Sequence, residues 1–435
     1  MKKRTEKLLA LATLLAMGTT ALASCGNKAA SGESASGEAK SEGKVALSMA
    51  IWDEKQRAMT ESLTEAYTKA HPNVSIEVQL TPYKGGEYWT KLEAAATGGK
   101  APDVFWLNVL HTDSYVDGGI LADLTDAIAK SDIKDNFPES LVNNYVRDGK
   151  NYAVPKDFDT NALWYNKEIF DEAGVSYPTN DMSYEDLVAK AEELKQAGLD
   201  EGVYPFACPV DFQTWYYQTV FANGGWILSE DKKSSGYEDP KTQGGIQCWI
   251  DMIDKELSPS SAALSETSAD AMFEGGQLAM TFAGSYMVPE YTSNDNIKDK
   301  IDCVELPSFN GVDTNCINGL GFAVYEGSKN KEAATEFAIW LSSKEAMDIQ
   351  GNTGVVISAR NESQDLFAKS SDKYALAVYT AHTDKAYPLP VCKNAAQLYD
   401  MESKALQKAY SGEESLAEAC KALKVEADAF LAKNQ

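Results

Sequence analysis

Several short stretches of this chain set a flat aromatic ring beside a carboxylate, an amide or a charged donor. Trp52, Asp53 and Lys55 fall together, and Asn108 and His111 follow Trp106. Asp157 and Asp159 flank Phe158, Asp211 and Gln213 precede Trp215, and Ser285 adjoins Tyr286. Such groups suit reversible capture of a polyhydroxylated molecule: ring faces cover apolar C–H surface, while carboxylates and amides take the hydroxyl hydrogen bonds. Metal chemistry has less to stand on. The three histidines (71, 111, 382) are scattered, and none of the seven cysteines forms a C-x-x-C pair, so neither a zinc site nor a cofactor is expected.

Each of these groups lies where an element should end. Residues 103–107 (DVFWL) are a short apolar run between Pro102 and Asn108, read as a buried strand. Ligands of open α/β sheets bind just past the carboxyl ends of such strands, where Asn108 and His111 stand. A short helix follows, stopped by Gly118 and Gly119. Upstream, residues 45–51 read as a strand, 56–70 as a helix with one apolar face, 74–80 as a strand and 87–97 as a helix. Strand–helix–strand–helix–strand is the pattern of a parallel sheet covered on both faces.

Further on, residues 152–155 and 162–165 are extended, and Ser183 with Asp186 forms a capping-box pattern before a helix that Gly198 ends. Residues 211–223 read as an aromatic-rich helix and 240–257 as another. A short helix over 269–275 precedes a strand over 277–282, and 319–324 is a glycine-flanked strand. Residues 331–342 and 343–350 are helices, and the tail from 395 is helical almost to its end.

With 435 residues the chain is too long for one core, so two lobes are expected. A formal charge of −25 and the absence of any basic cluster argue against nucleic acid as a partner. The first 24 residues read as an export signal: Lys2, Lys3 and Arg4, then an apolar core over 8–17 too short to span a bilayer. It ends in Leu22-Ala23-Ser24-Cys25, the pattern of a bacterial lipoprotein signal, with the Cys25 thiol as the group to be lipidated. Residues 26–44 carry Gly, Ser, Ala, Glu and Lys and read as a flexible tether reaching roughly 25 Å. The six remaining cysteines are an even number in an exported chain; buried free thiols are favoured over a disulfide, because a domain this large needs no staple.

The order of elements resembles the extracellular solute-binding proteins of ATP-driven carbohydrate importers, the family that includes maltose-binding protein. The resemblance covers about residues 45–430. It rests on Pro102-Asp103-Val104-Phe105-Trp106 with Gly119-Ile120-Leu121 downstream, and on Tyr152-Ala153-Val154-Pro155 before Leu163-Trp164-Tyr165-Asn166-Lys167. Phe273-Glu274-Gly275-Gly276-Gln277-Leu278-Ala279-Met280 leading to Gly284-Ser285-Tyr286 continues it, as does Ser328-Lys329-Asn330-Lys331-Glu332-Ala333-Ala334.

The resemblance implies a two-lobed, periplasmic-binding-protein-like α/β fold (type II) with a ligand cleft between lobes. Residues 45–156 with 322–357 would form one lobe and 158–318 with 360–435 the other, with crossings near 155–158, 318–321 and 357–360. Glycine at the second crossing would absorb hinge rotation. The implied function is binding without catalysis: a lipid-anchored monomer outside the cell, closing on a sugar and docking on permease subunits. The ligand set expected is Trp52, Asp53, Lys55, Asn108, His111, Asp157, Asp211, Trp215, Ser285 and Tyr286. Tyr286 stands where the family carries a sugar-stacking tryptophan. Trp106 fits either the site or the core, while Trp164 and Trp249 read as core. Two competing readings are an exported glycoside hydrolase, which needs paired carboxylates across a cleft, and the same fold holding a polyamine or another small cation.

Overall fold

The computed structural model describes residues 43–83 and 86–434, so the signal, Cys25 and most of the tether lie outside the described residues. Twelve strands, numbered β1 to β12 along the chain, carry the architecture. β1 (Val45–Ile51), β2 (Val74–Leu80) and β3 (Val104–Asn108) are joined by the helices Arg57–Ala70 and Glu87–Thr97. β4 (Val146–Arg147) and β5 (Lys150–Asn151) make a small hairpin before β6 (Ala153–Asp159) and β7 (Asn161–Asn166). β8 (Met280–Gly284), β9 (Ile301–Val304), β10 (Cys316–Val324), β11 (Ile357–Ser358) and β12 (Tyr387–Pro388) complete the set.

The larger sheet runs β11-β6-β10-β3-β1-β2, with β12 against β10. β1 pairs in parallel with β2 and β3, as the alternation of strands and helices requires. β10 enters antiparallel to both β3 and β6, so the sheet is mixed rather than parallel throughout. β3 is buried from Val104 to Leu107, as a continuous apolar run predicts, whereas the edge strand β2 alternates half-buried and exposed. The helix Arg57–Ala70 lays Met59, Leu63 and Tyr67 on this sheet, one turn apart on one face.

The smaller sheet, β8-β7-β9, is antiparallel and pairs Leu163 with Phe282 on one side and with Val304 on the other. Its core takes Trp164 and Trp249, each with its indole N–H satisfied: Trp164 donates to the Tyr379 hydroxyl at 2.6 Å and Trp249 to Thr219 Oγ1 at 3.0 Å. Burying each ring with its donor paired costs no lost hydrogen bond.

The two sheets meet at β6, β10 and β11. Phe158 is register partner to Ile357 on one side and Gly319 on the other, and Asp157 to Ser358 and Leu320. The three segments expected to cross therefore lie side by side. One residue, Thr160, separates β6 from β7. An amide pair ties β7 to β10's approach: Asn161 N donates to Asn315 Oδ1 at 2.9 Å, and Asn315 Nδ2 to Asn161 O at 2.8 Å. Gly319 and Gly321 have a packing reason besides the hinge role expected of them. Neither has positive φ. A Cβ on Gly319 would stand 2.6 Å from the Asp157 carbonyl oxygen, and one on Gly321 2.8 Å from the Ala153 Cβ and 2.9 Å from the Tyr145 ring. Close packing of strands requires glycine there.

Several boundaries differ from the sequence reading, among them β10, which starts at Cys316 rather than 319, and the helix Pro240–Asp254, which stops short of 257. The segment after Asp211 opens as a π-turn, Phe212–Tyr216, before the α-helix Tyr217–Ala222. β8 begins at Met280 rather than 277, because the Tyr204–Leu278 bridge takes the preceding residues. The tail is two helices, Ala395–Tyr410 and Leu416–Lys433, the second started by a capping box of Ser415 and Glu418. Cys208, Cys248, Cys303, Cys316, Cys392 and Cys420 are all buried free thiols.

Candidate functional site

Trp52 follows β1 and is held by rings on several sides. Tyr88, Trp106 and Trp89 lie 4.9, 5.1 and 5.5 Å from it between centroids, the first two edge-to-face, and Tyr83 lies at 6.1 Å. Asp53 caps the short turn that follows. Its Oδ1 accepts from Lys55 N at 2.8 Å and its Oδ2 from Gln56 Nε2 at 2.9 Å. Gln56 Oε1 in turn accepts from the fully buried Lys156 Nζ at 2.8 Å. That ammonium also pairs with Asp157 Oδ2 and stands 4.4 Å over the Trp106 ring. A buried cation needs this company: a carboxylate, an amide oxygen and a ring face replace its water.

Asp157 is thereby committed to the protein, with its Oδ1 accepting from Leu320 N at 3.1 Å. Asp159, two residues on, faces differently. Ser285 Oγ donates to its Oδ1 at 3.0 Å. Burial, helped by the neighbouring charges of Asp157 and Asp53, pushes its carboxyl up to about 7, against the opposing pull of Ser285 and Lys156.

Tyr286 stands beside this pair and keeps 37% of its surface exposed. Gly284 makes that pose feasible, since a Cβ there would lie 2.2 Å from the Tyr286 ring. The hydroxyl is 3.5 Å from Thr214 Oγ1, and Asp211 caps the same turn through Thr214 N at 2.7 Å. Asp270 accepts from the Tyr291 hydroxyl at 2.6 Å, and burial pushes its carboxyl up to about 6. Burial likewise raises Asp211 and Glu274, the latter also pushed by Glu290. The phenol of Tyr286 is raised by burial first and then by Asp211, Asp270 and Asp159. This wall is acidic, with an aromatic face at its surface.

The other expected residues are dispersed. Lys55 Nζ reaches the helix Val288–Ser293, 3.2 Å from Glu290 Oε2 and 3.0 Å from Ser293 Oγ. It spans from the end of β1 to the smaller sheet's side. Asn108 caps the turn after β3 through Leu110 N at 3.0 Å. His111 stacks on Trp89 at 3.9 Å, and burial lowers it to about 4, so it is neutral at pH 7. It lines a separate crevice of about 390 Å³ with Glu93, Ser114, Asn394 and Gln397. Trp215 is a core residue here: 5% exposed, with its indole N–H on the Ala207 carbonyl at 2.9 Å. Trp106 is wholly buried as well.

Lys156, Gln56, Tyr83 and Asp270 escaped the sequence reading. Lys156 beside Asp157 in an apolar strand was the one signal available, since an unpaired lysine there would be costly. A cavity of about 510 Å³ lined by Lys195, Leu199, Tyr204, Pro205, Ile253 and Glu256 contains none of the expected residues. Its walls mix aliphatic side chains with Lys195, Glu256, Ser258 and Ser260 around a single tyrosine, and the pairing of ring with carboxylate stays with Trp52, Asp159, Ser285 and Tyr286. Among the described residues no group of three His, Cys, Asp or Glu is placed to hold a metal ion, and no helix is long and apolar enough to cross a membrane.

Two α/β lobes joined by adjacent strands are the architecture of extracellular solute-binding proteins. The chain belongs to the bacterial extracellular solute-binding protein family, whose profile matches residues 52–348. It is 28% identical over 305 residues to a diacetylchitobiose binding protein of Streptomyces coelicolor, covering 67% of each chain. It is 25% identical to an arabinooligosaccharide-binding protein of Bacillus subtilis, covering 79% of this chain and 77% of that one. Among solved structures, an ABC substrate-binding protein from Listeria monocytogenes in complex with cycloalternan superposes with a TM-score of 0.80 at 25% identity, over 89% of this chain and 99% of that one. These relatives are binding proteins rather than enzymes.

Proposed function

We propose that this chain captures a sugar or oligosaccharide between its lobes and delivers it to an ATP-driven importer. The observation that carries the reading is the Ser285–Asp159 bond between the two sheets with the exposed Tyr286 ring beside it, while a chain of contacts from Asp53 through Gln56 and Lys156 to Asp157 leads back to Trp52. Ring faces supply apolar contact to a pyranose, and Asp159 offers hydroxyls a buried acceptor. The lobes comprise residues 45–156 with 322–357, and 158–318 with 360–435. Contacts that a ligand makes with both lobes at once are what favours closure. The names of the relatives, which bind oligosaccharides, support the same ligand class.

Calorimetry against a panel of neutral mono- to tetrasaccharides tests this. Stoichiometric heat without reducing-end release supports capture; turnover supports a hydrolase. The crowd of Asp211, Asp270, Glu274 and Glu290 favours a second reading, a small organic cation. A thermal-shift screen of polyamines beside the sugars separates the two, because a ligand of the native state alone raises Tm. In the same reading the chain is a monomer tethered to the outer face of the cytoplasmic membrane through Cys25, an anchor that the Leu22-Ala23-Ser24-Cys25 pattern supports. Replacing Cys25 with Ser should release it to the medium; retention on membranes would remove the anchor from this reading.

A further inference from the structure

We propose that Tyr83 is a second stacking platform, and that the ligand is therefore at least a disaccharide, with one ring on Trp52 and the next on Tyr83. The inference rests on the saccharide reading above and narrows its ligand class. Of the four rings around Trp52, Tyr88, Trp89 and Trp106 are buried, whereas Tyr83 is 54% exposed. The three buried rings pack against Trp52 and fix its plane. Tyr83 lies 6.1 Å from it at an interplanar angle of 51°, and adds a ring face open to solvent.

Its position is set by backbone on both sides. Thr81 N donates to Ile51 O at 2.9 Å, extending the β1–β2 pairing by one residue, so the chain leaves the sheet beside Trp52. Gly86 N donates to Tyr83 O at 2.8 Å, and Gly86 stands in the left-handed region at φ 76° ahead of the helix Glu87–Thr97. An exposed tyrosine ring beside Trp52 gives a sugar a rigid apolar face at small entropic cost.

Neighbouring aromatic faces on one wall cannot stack on one pyranose together without coplanarity, and a tilt of 51° denies that. They can serve successive units of a chain, whose linkages let adjacent rings tilt. A monosaccharide uses Trp52 alone.

The test is calorimetry with maltose, cellobiose, N,N′-diacetylchitobiose and arabinobiose beside the corresponding monosaccharides, on wild type, Tyr83→Ala and Tyr83→Phe. The expected result is a disaccharide affinity lowered about tenfold or more in Tyr83→Ala, unchanged monosaccharide affinity, and Tyr83→Phe close to wild type. Equal loss for both ligand lengths, or none for either, would overturn the second platform while leaving sugar capture intact. If the wild-type chain bound none of these sugars, the saccharide reading would fall and the inference with it. Tyr83 packs into no core, so near-UV circular dichroism and Tm of both variants should match wild type.

Discussion

Ser285 Oγ donates to Asp159 Oδ1 at 3.0 Å and joins the end of β8 to the end of β6. The two residues are 126 positions apart, and each comes from a different sheet. The bond sits where the larger and smaller sheets meet, with Tyr286 one residue beyond Ser285 and Asp157 two before Asp159. Electrostatics there are set by the neighbours: Lys156 is spent on Asp157, which leaves Asp159 with a hydroxyl as its partner.

Trp52→Ala and Tyr286→Ala should each lower sugar affinity at least about tenfold, yet differ in stability. Tyr286 is exposed, so its loss should leave Tm within a degree or two. Trp52 packs on Tyr88, Trp89 and Trp106, so its removal should cost about 2–4 kcal/mol. Calorimetry and thermal melts check both; unaltered affinity would exclude either residue from the site.

Affinity should rise with pH through the titration of Asp159. Its carboxyl is pushed up to about 7, and the deprotonated form is the stronger acceptor for ligand hydroxyls. Binding measured from about pH 6 to 8 should tighten by severalfold in wild type and stay flat in Asp159→Asn. The same slope in the variant would assign the effect elsewhere.

Glu402 governs stability on the alkaline side. It is wholly buried in the helix Ala395–Tyr410, with the Tyr217 hydroxyl 2.7 Å from Oε2, while Oε1 and the hydroxyls of Tyr216, Tyr237 and Tyr410 are unpaired. Burial pushes its carboxyl from 4.5 up to about 8. The folded state therefore holds a proton that the unfolded state releases. Its contribution is fully present below about pH 4.5 and is lost as pH rises towards 8. Glu402→Gln, neutral at every pH, should be more stable than wild type at about pH 8.5 by more than ~1 kcal/mol, with the gap closing near pH 5. Urea melts at the two pH values decide it; an equal offset at both would refute the titration.

Lys55 should act on closure rather than as a ligand group. Its ties to Glu290 and Ser293 bridge the two sides, yet both ends are more than a third exposed, so the ion pair is worth about 0–1 kcal/mol. Lys55→Gln should therefore change affinity less than about fivefold. It should also enlarge the ligand-free radius of gyration in low salt and abolish its salt dependence, as scattering would show. A loss as large as that of Trp52→Ala would restore Lys55 to the binding set.

Much of the scaffold was legible one segment at a time. The run VFWL could only be a strand buried on both faces, and Ser183 with Asp186 could only start a helix, because these features depend on near neighbours. Trp215 misled because an aromatic one turn past an acid looks the same whether it faces a cleft or a core; its indole bond to Ala207 is a tertiary event. The packing role of Gly319 and Gly321 was hidden for the same reason. What they avoid is a carbonyl and a ring supplied by distant residues.

Local residue order alone determined most of the elements, since periodicity and caps act within a few residues, whereas the two-lobed class followed from length and from the resemblance. Only the tertiary structure decided how the acids divide. It spent Asp157 on a buried lysine, set Asp159 against Ser285, turned Lys55 to Glu290, and brought Tyr83 alongside Trp52. Those outcomes depend on how strands far apart in the chain come into register. A carboxylate's partner is fixed by distance in space, which the spacing of letters does not encode.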